Sequence, residues 1–360
     1  MRKAGIGLNG SQTIHYLDHL AVICSIMEVP LLVVDELDFT LASRYYPGLQ
    51  LFYKDYTQLS IDELIAEYDV FYRSDLSDRE EFHQKYRSIE EKYQKSIRQV
   101  HCPHGFSDKA HYLKQCARED ILLLYGQNMW DMLVANGVEK EVHSVVTVGN
   151  YRYTYFQQHN SFYQSLMQEE LLNRFSRAQP IILYAPTWMD AENASSFFDA
   201  AEQLLKNLPE DYNLVVKLHP RLELDDPVTC YKIIGKYEQK SNIVFLKDFP
   251  LVYPLLACTD IYLGDVSAIG YDFLLFNKPM FFLTQGYPAR YLFRCGTHVQ
   301  PEEYSQIYQI IDQALPEDQK KFGLVKKSIY NYSFGEEKKF AQIQQEILQA
   351  CHTCKPLFFP

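Results

Sequence analysis

Residues 259–283 read TDIYLGDVSAIGYDFLLFNKPMFFL. The short apolar run 260–263 stops abruptly at Gly264-Asp265. Residues 266–277 then carry Ile269, Phe273, Leu274 and Phe276 at helical spacing. Lys278-Pro279 breaks that helix, and 280–283 is a second apolar run. Strand, tight turn, helix, strand is a βαβ unit, and its apolar strands fit a parallel sheet covered on both faces. Ligands of such sheets bind beyond the carboxyl ends of the strands, where helix N-termini turn partial positive charge and N–H groups outward. The turn offers Asp265, Ser267 and the amides of 266–269. Two readings stand open for Asp265 and Ser267: a phosphate site, or side chains that only cap the helix.

The same alternation runs through the rest of the chain. Residues 4–8 read as a strand, followed by an amphipathic helix through Met27. A second strand at 30–34 stops at the acidic cluster Asp35, Glu36 and Asp38. Further short runs lie at 49–53, 69–72, 97–101, 121–125 and 145–148, with helical patterns at 60–68 and 78–93. This predicts an open parallel α/β sheet of about seven strands. Pro180 opens a fresh series of strands at 181–184, 214–218, 243–246, 261–263 and 280–283. Helices at 195–207, 227–239, 251–258 and 267–276 separate them. The fold class expected is α/β, two Rossmann-like parallel-sheet domains facing each other across a cleft. Their bounds are 1–155 and 180–330, with a connecting helix at 156–179. A helix at about 335–351 and a tail to 360 pack back toward the first domain.

At 360 residues the chain exceeds one ordinary core, which agrees with two domains. A net charge of −11 argues against nucleic acid as the main partner, because neutralising phosphates takes clustered Lys and Arg. It also argues against broad adhesion to anionic lipid. No run of eighteen apolar residues exists, and Asn9, Gly10, Gln12 and His15 interrupt any signal-peptide core. The eight cysteines are scattered and sit mostly inside apolar segments (Cys24, Cys116, Cys230, Cys258), as free thiols of a reducing cytoplasm do. Cys351 and Cys354 have metal-like spacing without a second pair, so they read as surface thiols.

Three more strand ends carry chemistry. The first is VHCPHGFSDK, residues 100–109. Pro103 fixes the approach and Gly105 lets the backbone turn, so His104 is presented where an imidazole can take a proton from an alcohol. His101, three residues earlier, is the candidate for a packed role, and a packed His104 is the competing reading. The second is YAPTWMD, 184–190. Pro186 halts the strand and Thr187 offers a hydroxyl and an amide, unless Trp188 merely staples the strand end. The third is KLHPR, 217–221, where Lys217, His219 and Arg221 can hold a diphosphate and stabilise charge on a departing phosphate. Asp272, nearly two helical turns beyond Asp265, is either a ribose ligand or a solvated surface group.

Together the motifs name a family. PHG with Lys109 after a strand, Val148-Gly149-Asn150-Tyr151-Arg152, LYAPTW, KLHPR and DVSAIGYDFLLFNKP stand in the order and spacing that resemble the CDP-glycerol glycerophosphotransferases. These are the teichoic-acid primases and polymerases and the capsule polyol-phosphate transferases. The resemblance runs from about 97 to 285 and implies a GT-B-like fold, with the first domain on the acceptor side and the second binding the nucleotide donor. It implies that His104 deprotonates the acceptor hydroxyl and that His219 stabilises the diphosphate and leaving CMP. Lys217 and Arg221 support His219. Ser267 and its amides hold phosphate, Asp265 stands at the same turn, Asp272 meets the ribose, and Thr187 lines the nucleotide side. Lys109 and Arg152 complete the substrate-binding set. The reaction implied is transfer of a glycerol-phosphate or related polyol-phosphate from a CDP-alcohol to a hydroxyl of a glycan or lipid-linked sugar. It needs no metal and no cofactor, because helix dipoles and cationic side chains do a metal's work. The expected location is the cytoplasm, or peripheral attachment to the inner face of the cell membrane.

Three departures stand out. Val266-Ser267-Ala268 replaces the usual pair of adjacent hydroxyl residues, Met189 stands where a basic residue is usual, and Gly149-Asn150-Tyr151-Arg152 replaces Gly-Tyr-Pro-Arg. A lost hydroxyl weakens a phosphate contact by about 1–3 kcal/mol, which points to a changed donor rather than a dead site. The rival readings are a GT-B nucleotide-sugar glycosyltransferase, a UDP-N-acetylglucosamine 2-epimerase-like enzyme, and a non-catalytic binding protein with a relic pocket.

Overall fold

A computed structural model describes residues 4–10, 14–75, 79–108, 119–189, 195–265, 267–283 and 291–354, with backbone alone for 79–83. Lys109, Asp190, Val266 and the apolar tail 355–360 lie outside the described residues. The chain forms two compact units. One is drawn from Met1–Gly105, Ala110–Tyr155 and Ser333–Pro360, the other from Phe106–Lys109 and Phe156–Tyr332.

The first unit is a seven-stranded sheet of β1 (Gly5–Asn9), β2 (Leu31–Val33), β3 (Leu51–Tyr53), β4 (Val70–Arg73), β5 (Arg98–His101), β6 (Ile121–Leu124) and β7 (Val145–Thr147). All pairs are parallel, in the order β3-β2-β1-β4-β5-β6-β7. The chain direction across the sheet reverses between β1 and β4, the place where open α/β sheets bind ligands. Central strands β4, β5 and β6 are buried along their whole length; β6 (ILLL) accordingly reads as an apolar run, whereas β5 (RQVH) buries Arg98, Gln99 and His101 beside Val100. Asp35 ends β2 by capping the next helix, Glu36–Tyr45, through the N–H of Leu37.

Helix Leu17–Met27 is buried on nearly every side. One of its covers is the last helix, Phe340–Thr353, whose Gln344 donates to the Ile26 carbonyl at 2.9 Å. Lys338 reaches the Thr147 carbonyl at the end of β7, and Cys354 Sγ donates to the Asp120 carbonyl at 3.2 Å. Cys351 and Cys354 are therefore buried, not surface thiols. The helix that carries them packs its apolar face, with Ile343 and Ile347, into this unit. Among the described residues no group of three or more His, Cys, Asp or Glu could hold a metal ion.

The second unit holds β8 (Ile181–Ala185), β9 (Asn213–Lys217), β10 (Ile243–Leu246), β11 (Ile261–Gly264), β12 (Met280–Leu283) and β13 (Thr297–Val299). They form a parallel sheet in the order β10-β9-β8-β11-β12-β13, with its reversal between β8 and β11. Its core joins Ile182, Tyr184, Leu214, Val216 and Leu263 to helix residues such as Phe197, Leu204 and Ile233. The short segment Phe106–Lys109 belongs here, with Phe106 edge-on to Tyr271 at 4.8 Å.

The elements differ from expectation in four places. The connecting helix is two helices, Tyr151–Gln158 and Asn160–Glu170, parted at His159. Edge strand β13 has no apolar run to announce it, because Thr297 and His298 are only half-buried. Helix Ile307–Phe334 was not expected, since Pro316 interrupts its pattern yet is tolerated inside it. The last helix begins at Phe340 rather than near 335, because Gly335 (φ +67°) turns the chain out of the long helix. Among the described residues no helix is long and apolar enough to cross a membrane.

Candidate active site

In the first unit, β5 ends at His101 and the chain turns through Pro103-His104-Gly105. Gly105 has φ +118°, a conformation side chains resist, so the turn depends on glycine as its sequence indicated. His101 is buried on the strand, and His104, partly exposed, faces the sheet's carboxyl edge. The nearer nitrogen of His104, Nδ1, lies 3.2 Å from the Ser74 carbonyl, which can only accept. The proton therefore sits on Nδ1 and the lone pair on Nε2. Ser74 directly follows β4, so this bond joins the ends of neighbouring strands. Burial pushes the imidazole down to about 4, against smaller opposing effects from the Ser74 carbonyl and Asp75. Asp75 is held by a two-pronged bond with Arg73. Tyr16 lies against the His104 ring at 4.5 Å and His15 meets it edge-on at 6.0 Å.

Arg152 was expected to bind substrate. Its guanidinium instead lies buried against Asp18, with Nη1 to Oδ2 at 2.9 Å, and it sits 5.9 Å from the centre of the Tyr125 ring. Tyr125, at the end of β6, donates to the Pro103 carbonyl at 2.9 Å and lies 2.7 Å from Nδ1 of His19.

In the second unit, three neighbouring strands, β9, β8 and β11, end side by side. They carry Lys217 and His219, Thr187, and Asp265 and Ser267 respectively. Five of the expected residues thus share one sheet edge, two of them (Thr187 and Asp265) at the reversal itself. His219 caps helix Pro220–Asp225: its Nδ1 accepts from the Arg221 N–H at 3.2 Å, so its proton is on Nε2. Arg221 is exposed and lies over the Trp188 ring at 4.3 Å, and the Trp188 and His219 rings are 6.1 Å apart. Trp188 also packs against the core, so it both staples the strand end and forms a flat floor under the Arg221 guanidinium. Lys217 is half-buried at the end of β9.

The turn after β11 resolves the question left open about caps. Asp265 does not cap the helix Ala268–Phe273; it is buried and accepts from the N–H groups of Thr187 (2.9 Å) and Ser196 (3.1 Å). It therefore stitches β11 to the loop after β8. Ser267 stands in extended conformation at the N-cap position, and its hydroxyl makes no capping bond. Asp272, expected at a ribose, is buried and accepts from the Tyr253 hydroxyl at 2.8 Å.

Sequence reasoning missed Tyr125, His19, Asp18, Tyr16 and His15. The rule that loops after β-strands carry ligands would have drawn notice to His15 and Tyr16, which follow β1. Nothing local marks the His19–Tyr125 pair, whose members are 106 residues apart.

The family described as CDP-Glycerol:Poly(glycerophosphate) glycerophosphotransferase matches residues 105–288, about half of the chain. The teichoic acid glycerol-phosphate primase of Bacillus subtilis (strain 168) is 35% identical over 107 residues, 29% of this chain and 25% of the primase. The matched sequence thus spans a quarter of that relative's length. A variant of the wall teichoic acid polymerase TagF superposes with a TM-score of 0.66 at 12% identity, over 98% of this chain and 88% of that one. Anabaena HepE in complex with UDP-glucose gives 0.54 at 13% identity, over 98% of this chain and 100% of that one. These two likenesses speak to the fold, two Rossmann-like parallel-sheet domains of GT-B type. With the family's match running from the glycine of the histidine turn through β8, β9, β11 and β12, the chain belongs to the CDP-glycerol:poly(glycerophosphate) glycerophosphotransferase family.

Proposed function

We propose that the protein is a phosphotransferase that moves a glycerol-phosphate, or a related polyol-phosphate, from a CDP-alcohol to a hydroxyl of a glycan or lipid-linked acceptor, releasing CMP. Family membership supports the reaction class. The observation that carries the reading is the opposite use of two imidazoles: Nε2 of His104 bears a lone pair, whereas Nε2 of His219 bears a proton. A base and a hydrogen-bond donor are the two roles that this transfer asks of histidine.

The acceptor oxygen loses its proton to His104 Nε2 and attacks the outer phosphorus of the donor. The bond from that phosphorus to the bridging oxygen breaks, and CMP leaves with the electron pair. His219 Nε2–H donates to the diphosphate as that charge grows, and Lys217 and Arg221 neutralise it. Ser267 and the amides after it hold phosphate, and Thr187 lines the nucleotide side. Asp265 and Asp272 act from beneath, keeping the loop after β8 and the helix Ala268–Phe273 in place. Arg152 acts through Asp18 rather than on the substrate, and Lys109 completes the set. The reaction draws its charge stabilisation from these groups and takes no metal or other cofactor. The enzyme works in the cytoplasm, on an acceptor that is free or held at the inner face of the membrane.

The test is an assay of nucleotide release with CDP-glycerol, CDP-ribitol and UDP-N-acetylglucosamine, each with a glycan acceptor. CMP is the product expected from a CDP-alcohol. In the His104→Ala variant turnover is lost while CDP-glycerol still raises the melting temperature, because the base serves the acceptor. Release of UDP, or isomerised UDP-sugar, would replace this reading with the nucleotide-sugar one. Full activity of His104→Ala would remove the base from the mechanism.

A further inference from the structure

The first unit contains a buried polar group that the transfer itself does not use. Tyr125 has one hydroxyl proton, and the Pro103 carbonyl, 2.9 Å away, can only accept it. The second partner of that hydroxyl, His19 Nδ1 at 2.7 Å, must then be a donor. The two bonds run in one direction, from the imidazole N–H through the hydroxyl to the carbonyl. Burial, reinforced by Arg152, His104 and His15, holds the His19 imidazole well below its ordinary value, so it is neutral and its single proton is committed to this chain.

The end of the chain is what gives it a task. The peptide plane between Pro103 and His104 turns on Pro103 ψ and His104 φ, neither of which the proline ring locks. A hydrogen bond to its carbonyl is what tethers it. The Ser74 carbonyl fixes the rotation of the His104 ring, and the Tyr125 hydroxyl fixes the backbone that carries it. Tyr125 is itself wedged: Tyr151 stacks on it at 6.0 Å with ring planes 4° apart, and Phe334 meets it edge-on at 5.7 Å. Tyr151 also donates to the His19 carbonyl at 3.4 Å. Asp18, next to His19 in helix Leu17–Met27, is clamped by Arg152 at 2.9 Å and receives the Tyr46 hydroxyl at 3.4 Å. The buried ion pair therefore sets where His19 stands.

We propose that Tyr125 and His19 are positioning residues for His104, a directed relay that ends on the Pro103 carbonyl and holds the proton-accepting nitrogen in register with the acceptor. This rests on His104 being the base of the transfer. A base displaced by a fraction of an ångström loses its near-attack geometry while donor binding is untouched.

The experiment compares Tyr125→Phe, His19→Leu and His19→Asn with the unaltered protein. In Tyr125→Phe, kcat falls roughly tenfold to a hundredfold, while KM for the CDP-alcohol stays within about twofold. His19→Leu shows the same loss. His19→Asn recovers most of it, because its amide N–H occupies the place of Nδ1–H, a rescue that a packing role would not produce. Nitrogen NMR of the labelled imidazoles at neutral pH gives a second readout. The His104 signals show the Nδ1-protonated tautomer in the unaltered protein and a mixture in Tyr125→Phe. Unchanged kcat in Tyr125→Phe, a loss confined to KM, or equal losses in His19→Asn and His19→Leu would overturn the relay. If the unaltered protein turns over no CDP-alcohol, the transferase reading fails and the nitrogen spectra alone decide: His104 signals unmoved by Tyr125→Phe reject the relay, and shifted signals support it.

Discussion

Because burial pushes the His104 imidazole down to about 4, it stays neutral across the range in which a histidine of ordinary value 6.5 titrates. A base must be neutral to accept a proton, so the acidic limb of kcat/KM for the free enzyme is expected near pH 4, not near 6.5. A pH–rate series checks this, and half the activity lost at the higher value would count against the assignment. Stability follows the same sign. Between those values the unfolded chain binds a proton at His104 that the folded chain refuses, so His104's contribution is complete above 6.5 and is lost as pH falls through 4. His19, also held low, works in the same direction. The turn that carries His104 was legible in the sequence because Pro and Gly on either side of a histidine declare it. Which nitrogen holds the proton was not, since that depends on Ser74, thirty residues away in the chain.

At the level of elements, the buried pair of Arg152 and Asp18 ties the helix Leu17–Met27 to the helix Tyr151–Gln158. Arg152→Met leaves the Asp18 carboxylate buried without its cation, a loss expected to be about 3–5 kcal/mol in denaturant unfolding. The double variant Arg152→Met with Asp18→Leu should recover most of that, since two apolar side chains can replace a buried ion pair. Equal loss in the single and double variants would show that packing, not charge, is at stake. Strands such as β6, β8, β10 and β12 were readable because parallel strands buried on two faces are continuous apolar runs. Thr297–Val299 escaped because an edge strand needs no such run. Residues 335–339 were misassigned because GEEKK looks helical by composition, while the positive φ at Gly335 makes it the exit from one helix and the approach to the next. Arg152 was singled out by motif, Asp265 by its place in the turn and Asp272 by helical spacing, with the motif adding a role to each. The motif could not tell a ligand contact from a support, because that is decided by Asp18, by the amides of Thr187 and Ser196, and by Tyr253.

For the molecule as a whole, ligand preference is the sharpest question, and a ligand bound only to the folded state raises the melting temperature. CDP-glycerol or CDP-ribitol and CMP are expected to raise it, and UDP and UDP-N-acetylglucosamine to leave it unmoved. Chelation with EDTA should leave the rate of CMP release within about twofold, whereas a collapse that added magnesium reversed would transfer part of the charge stabilisation to a metal. The first unit has a further property. Its sheet is complete by β7, but helix Leu17–Met27 and the end of β7 are closed over by residues up to Cys354. On a ribosome, all of the second unit has been synthesised before that closing helix emerges. Of the two units, the one translated first is thus the one finished last, and it waits through some two hundred residues of synthesis with one face of an apolar helix uncovered.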